Sequence, residues 1–223
     1  MATVVGYERP PTLAAALELI ARPAHVALAG GTALNAASIS EPVVVVDLQA
    51  LGLDTIEPLA DGRLRIGATA TLQQLADEPS APAAVRDSAR RELPSTLRAA
   101  ATVGGCVATA DSTSELFAVL LVHEMEVETA GSVGLITAVT IDVRGTSAVA
   151  RAGRTRADRP IVAAAARRAP GGEHLLALTG VAARPILVHD LDDIDPPGDF
   201  RGSQEYRRAL AAVLTRRVLE IVG

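Results

Sequence analysis

The sequence predicts an α+β fold in two parts, on three observations. Short β-branched runs alternate with stretches whose apolar residues recur at helical spacing. Two glycine pairs, Gly30-Gly31 and Gly104-Gly105, each interrupt an apolar run. Near Thr129 the pattern restarts, and a second set of strands ends in one long helical segment.

The elements follow in order. Pro10 and Pro11 precede residues 12–21, where Leu13, Leu17 and Ile20 share a face with Ala16 beside them, as in a short amphipathic helix. Residues 25–29 predict a buried strand that runs into Gly30-Gly31-Thr32, and Val43 to Val46 form a β-branched run closed by Asp47. The first fifty residues thus read strand, helix, strand, glycine turn, strand. Residues 64–67 predict another strand, residues 71–76 a short helix, and residues 78–97 helix with loop. Residues 102–107 predict a second glycine turn. Ser112 and Glu115 have the spacing of a capping box, opening a helix with Leu116, Val119 and Leu120 on one face. The chain turns at Gly131 to Gly134. Val139, Ile141 and Val143 then alternate with Thr140 and Asp142, the pattern of a half-buried strand. Residues 161–168 are alanine-rich and fit strand or helix equally; residues 175–179 predict a strand, and the acidic residues 190–199 a linker. Residues 203–222 give the clearest helix, with Tyr206, Leu210, Val213, Leu214, Val218 and Ile221 at helical spacing. Leu210, Val213, Leu214 and Val218 are expected to pack, with Arg207 and Arg216 in water.

Composition removes several classes of function. The chain has 223 residues, 49% hydrophobic but only 2% aromatic, so its core must be Ala, Val, Leu and Ile. Few aromatic platforms argue against stacking on single-stranded nucleic acid, and a net charge of −5 against a phosphate-neutralising surface. No apolar run reaches the ~18 residues of a membrane span. The start shows no basic-then-apolar signal pattern, so a cytoplasmic protein is expected. One cysteine allows no internal disulfide, and the histidines at 25, 123, 174 and 189 lack ligand spacing, so no metal site is expected. No nucleophile–base order stands out, and no catalytic residue is assigned.

The glycine pairs carry the most information about function. Glycine lets backbone approach a ligand closely and adopt positive φ, and successive amides in such a turn form an anion nest. Two such turns suit one pyrophosphate. Neither matches the dinucleotide fingerprint or the P-loop, and from spacing alone each is also an ordinary strand-end turn. Cys106 lies inside the second pair; it is a buried inert thiol unless a cation such as Arg98 activates it. Arg151, Arg154, Arg156 and Arg159 form a basic cluster, either a solvated face or an anion contact.

An ordered set of motifs carries a resemblance. Tyr7-x-Arg9-Pro10-x-Thr12-Leu13, Leu28-Ala29-Gly30-Gly31-Thr32-x-Leu34 and Val46-Asp47-Leu48 are followed by Leu64 to Ala68 and by Ala101-Thr102-Val103-Gly104-Gly105. Leu135 to Thr137, Gly153-Arg154, Leu178 to Pro185 and Ser203 to Arg208 continue the series nearly to the end. Together they resemble the FAD-binding medium subunits of molybdenum hydroxylases, such as those of carbon monoxide dehydrogenase and the flavin domain of xanthine dehydrogenase. The resemblance implies the PCMH-type FAD-binding fold in two α+β subdomains, residues 1–50 and 51–128, followed by a small sheet-and-helix domain over 135–223. It implies FAD held by Ala27, Leu28, Ala29, Gly30, Gly31, Thr32, Ala33 and Leu34 on one side and by Thr102, Val103, Gly104, Gly105 and Cys106 on the other. Glu115 and Ile136 are implied as further contacts, and iron–sulfur and molybdenum subunits as partners. The chain departs from the family pattern at Cys106, where Asn is usual, at Glu115, where Asp is usual, and near Ala150, where some members carry Lys. It is also shorter between Glu128 and Leu135 and between Pro185 and Asp199.

Two functions follow as expectations. One is an FAD-binding oxidoreductase component that passes electrons from an iron–sulfur partner to an acceptor. The other is a flavin-free relative whose cleft takes an apolar small molecule, for a non-redox cyclisation or for binding alone.

Overall fold

A computed structural model describes residues 3–36, 41–155 and 157–223, and these form three sheets. The first sheet holds β1 (Val4–Glu8), β2 (His25–Leu28) and β3 (Val43–Asp47) in the order β1-β3-β2, all parallel. Parallel neighbours need crossovers, and α1 (Leu13–Ile20) and α2 (Thr32–Ala36) lie in them. The Thr12 hydroxyl caps α1 by accepting the Ala15 N–H. The β-branched run of β3 is central and buried. By contrast β2 is only partly buried, because it forms the edge and Ala27 faces a cleft.

The second sheet holds β4 (Ile56–Pro58), β5 (Arg63–Gly67), β6 (Glu126–Ala130) and β7 (Leu135–Asp142), antiparallel in the order β4-β5-β7-β6. Between β5 and β6 run α3 (Leu72–Asp77), α4 (Ala83–Glu92), α5 (Ser95–Arg98), α6 (Val103–Thr109) and α7 (Glu115–Val122). They pack with the sheet around Leu64, Ile66, Leu72, Leu75, Leu116, Leu120 and Ile141. Four sequence expectations change here. Residues 103–109 are helical rather than a turn, because Thr102 caps them by accepting the Gly105 N–H at 3.1 Å. The box at Ser112–Glu115 does not form. Asp111 folds residues 111–113 into a side-chain turn, so the helix starts later and Ser114 becomes its cap. Finally, β7 is buried on both faces from Thr137 onward: Val139 and Ile141 enter the helical core, while Glu128 bonds Thr140 and Arg144 and Arg167 pair with Asp142 on the other face. An expected division at 128–135 cuts this sheet, which the chain leaves only after Asp142.

The third sheet holds β8 (Thr146–Ala152), β9 (Val162–Arg168), β10 (His174–Thr179) and β11 (Ile186–Leu187) in the order β11-β10-β9-β8, antiparallel. The alanine-rich run is the strand β9. Val162, Ala164 and Ala166 pack on α8 (Gln204–Val222), while Ala165 packs in the α7 core. Small side chains let helices approach both faces, which explains the ambiguous pattern. The packed face of α8 is Ala211, Leu214, Val218 and Val222. Leu214 and Val218 meet expectation, whereas Val213 is 43% exposed. Arg207 is buried rather than in water: it donates to the carbonyls of Ile161 and Gly180 and pairs with Asp199 at 2.7 Å. His123 is a packing residue, its Nδ1–H donating to the Asp142 carbonyl at 2.6 Å while Nε2 accepts from Ser147. Among the described residues no helix is long and apolar enough to cross a membrane.

Candidate functional site

A cleft of about 530 Å³ opens between the first and second sheets. Its wall from the first sheet is the turn after β2, Ala29 to Leu34, with Ala27 below and Ile20 and Leu48 at the side. Its opposite wall is Thr102, Gly104 and Gly105 of the α6 start, with Ala108 and Thr109 from the next turn. The β6–β7 hairpin closes one end with Val133, Gly134, Leu135 and Ile136. A second compartment of about 240 Å³ adjoins it and shares Thr32, Ala33, Thr102, Gly105 and Thr109. This one is walled by Leu72, Leu93, Leu97 and Ala101, with Cys106, Glu92, Asp111 and Arg159 on its polar side.

Most of the residues singled out from sequence therefore meet at one place. Leu28, Val103 and Glu115 line neither compartment. Several lining residues carried no sequence signal, because apolar side chains such as Ile20, Leu48 and Leu93 look like core until the elements are assembled. Arg159 had a signal, as part of the basic cluster. Asp111 reads in the sequence as a helix cap and nothing more. Of that cluster, Arg151 pairs with Glu115, Arg154 with Asp158, and Arg159 with Glu92 and Asp111, while Arg156 lies outside the described residues.

The glycines do different jobs. A Cβ on Gly30 would stand 1.8 Å from the Ala100 carbonyl oxygen, so this glycine lets the turn rest on the strand-to-helix link opposite. Gly31 has φ of 71°, a conformation other residues adopt reluctantly. Neither N–H donates a hydrogen bond among the described residues. In α6 the amides are spent. Val103 donates to Ala70, Gly104 to Ala68 at 2.9 Å, and Gly105 to the Thr102 hydroxyl, so this segment is no anion nest. A Cβ on Gly104 would lie 2.7 Å from Ala68, whereas one on Gly105 would meet only Thr102, at 3.0 Å.

The electrostatics concentrate beside the smaller compartment. Arg159 bridges two carboxylates, Glu92 at 3.2 Å and Asp111 at 2.8 Å. Burial pushes the Glu92 carboxyl up despite Arg159. Burial also pulls Asp111 upward, but the bonds from Thr113 and the Arg159 charge outweigh it and hold this carboxyl below its ordinary range. Burial, then the nearby Glu92 charge, drives the Cys106 thiol well up, so it is no nucleophile at neutral pH. Arg98 does not activate it, since that guanidinium donates to Gln73 and to the Arg90 carbonyl.

Residues 3–142 match the family described as the FAD binding domain in molybdopterin dehydrogenase. The uncharacterized protein YgfM of Escherichia coli strain K12 is 31% identical over 240 aligned positions, covering 93% of this chain and 92% of that one. A Cu,Mo-CO dehydrogenase in cyanide-inactivated form contains a chain of the same fold, with a TM-score of 0.86 and 25% identity over 99% of this chain and 98% of that one. The reconstituted CO dehydrogenase from Oligotropha carboxidovorans gives 0.87 at 24% identity, covering 99% and 98%. Quinoline 2-oxidoreductase from Pseudomonas putida 86 gives 0.85 at 22%, covering 97% and 96%. These last two speak to fold alone.

Proposed function

The chain belongs to the family of FAD binding domains in molybdopterin dehydrogenases, and from that premise we propose that it is the flavin-carrying, electron-transferring component of a molybdenum-hydroxylase-type enzyme. The observation that carries this reading is the glycine turn at the cleft wall, which leaves two N–H groups uncommitted among the described residues.

The cofactor fits the residues present. A pyrophosphate asks for N–H donors and small neighbours, which Gly30, Gly31 and Thr32 supply. Flat ring systems ask for apolar walls, which Ile20, Leu48, Leu135 and Ile136 supply in one compartment and Leu72, Leu93 and Leu97 in the other. Gly105 lines both compartments and puts no side chain into either. Bound FAD supplies redox chemistry that no side chain here provides. The chain's own part is to bind, to orient and to keep the pocket dry on its apolar sides.

The relatives named CO dehydrogenase and quinoline 2-oxidoreductase motivate a partner that carries a molybdenum centre, with an iron–sulfur partner delivering electrons. Residues 1–142 form the flavin-binding part in this reading, and the third sheet with α8 forms the C-terminal part. The flavin-free alternative finds no support in the family match or in the structural likenesses. The test is an FAD titration of the purified chain, followed by absorbance and flavin fluorescence. Stoichiometric uptake is expected. A colourless protein that takes up no added FAD would sink the proposal.

A further inference from the structure

The family pattern places an acidic cofactor contact at Glu115, and the structure removes that residue from the site. Its side chain is 3% exposed, and its two oxygens pair with Arg151 at 2.6 Å and Arg91 at 3.1 Å. It lines neither compartment. Swinging it outward would break both pairs and leave two guanidinium groups facing each other without their anion.

Asp111 is in the opposite situation. It lines the smaller compartment beside Thr109 and Gly105, and its side chain is 43% exposed. One oxygen, Oδ1, accepts from the Thr113 amide at 2.8 Å, from the Thr113 hydroxyl at 2.6 Å and from Arg159 at 2.8 Å. Those three contacts fix the orientation of the carboxylate. The other oxygen, Oδ2, has no partner among the described residues. We infer that Asp111, not Glu115, is the carboxylate through which this chain contacts FAD. A fixed free carboxylate oxygen accepts an O–H or N–H, and FAD carries both, as sugar and ribityl hydroxyls and as ring N–H groups. The Arg159 charge, shared with Glu92, offsets part of the charge that the carboxylate presents to a ligand with two phosphates nearby. Glu115 then acts as a positioning residue, tying α4 and β8 to the start of α7.

The inference rests on the FAD reading above, and the test separates the two. Asp111→Asn keeps an oxygen for Thr113 and Arg159 and converts the free acceptor into a donor. FAD affinity of this variant, read by fluorescence titration, should fall at least tenfold, with the melting temperature of the FAD-free protein nearly unchanged. Glu115→Gln should do the reverse, lowering that melting temperature while the folded protein binds FAD within about twofold of wild type. Should Glu115→Gln fail to fold, Asp111→Ala supplies a second measurement and should weaken FAD by a similar factor. Unchanged affinity in both Asp111 variants overturns the inference while leaving FAD binding intact. A wild-type chain that takes up no FAD overturns the family reading and this inference together.

Discussion

Gly30-Gly31 and Gly104-Gly105 are the same two letters after an apolar run, yet they contribute different physics. In each pair one glycine serves packing, Gly30 against the Ala100 carbonyl and Gly104 against Ala68. The second glycine is where they part. Gly31 bends the chain through positive φ and its turn leaves donors uncommitted among the described residues, whereas Gly105 sits in a capped helix whose first amides are already bonded. One turn offers hydrogen bonds and the other offers space. A glycine pair is therefore not evidence of an anion nest until the partners of its amides are known.

The largest expected effect tests the packing half of this comparison. Gly30→Ala sets a Cβ against a backbone carbonyl that no rotamer can move, so stability should fall by about 3 kcal/mol, at the upper end for overpacking. Chemical denaturation of the FAD-free protein reads it directly. An unchanged midpoint would mean that the turn does not rest on Ala100. Acid should bring a loss of similar size that ignores both turns. Burial first, against the bond to the Asp142 carbonyl, depresses His123 to about 4 from 6.5. The unfolded chain thus takes up a proton that the folded chain refuses. The associated stability is fully present above pH 6.5 and is lost as pH falls towards 4, by about 3 kcal/mol. Asp142, held low first by Arg144 and also by Arg167, adds to the loss at lower pH. His123 lines neither compartment, so His123→Leu should flatten this pH dependence without changing FAD affinity at pH 7.

Much of this was legible in the sequence, and the failures share a cause. Periodicity marked α1, β3, β5, β10 and α8 because each buries one consistent face or is buried throughout. It could not resolve β9, because alanine suits a strand between two helices as well as it suits a helix. It placed Val213 in the core and Arg207 in water, since spacing fixes a face of α8 but not which neighbours satisfy an arginine. Within the cleft, glycine and threonine gave a signal through their motifs. Asp111 gave none, because its place depends on Arg159, which reaches it from a distant part of the chain.

The space-making half is tested by Gly105→Leu. The position is helical and its Cβ would meet only the Thr102 hydroxyl, so folding should change little, the better helix propensity offsetting about 1 kcal/mol of crowding. The longer side chain would fill space beside the wall that the two compartments share. FAD affinity should fall at least tenfold, about 1.4 kcal/mol. An FAD titration that is unchanged alongside an unchanged melting curve would show that the ligand does not cross at Gly105.

The smallest effect sharpens the comparison most, because it isolates the backbone of the first turn. At φ of 71°, Gly31→Ala forces a Cβ into a left-handed conformation and should cost about 1 kcal/mol of stability. Gly31→Asn should cost roughly half of that, since asparagine tolerates this region better. Both variants keep the N–H of residue 31, so both should retain FAD binding wherever the turn keeps its shape. The ranking Gly, then Asn, then Ala should therefore appear in the denaturation midpoint of the FAD-free protein. In saturating FAD all three should gain the same increment, about 2.7 kcal/mol at one hundred times the dissociation constant. An increment that collapses in both variants would mean that the ligand needs the missing Cβ rather than the free amide, and the first turn would then be a space-maker like the second.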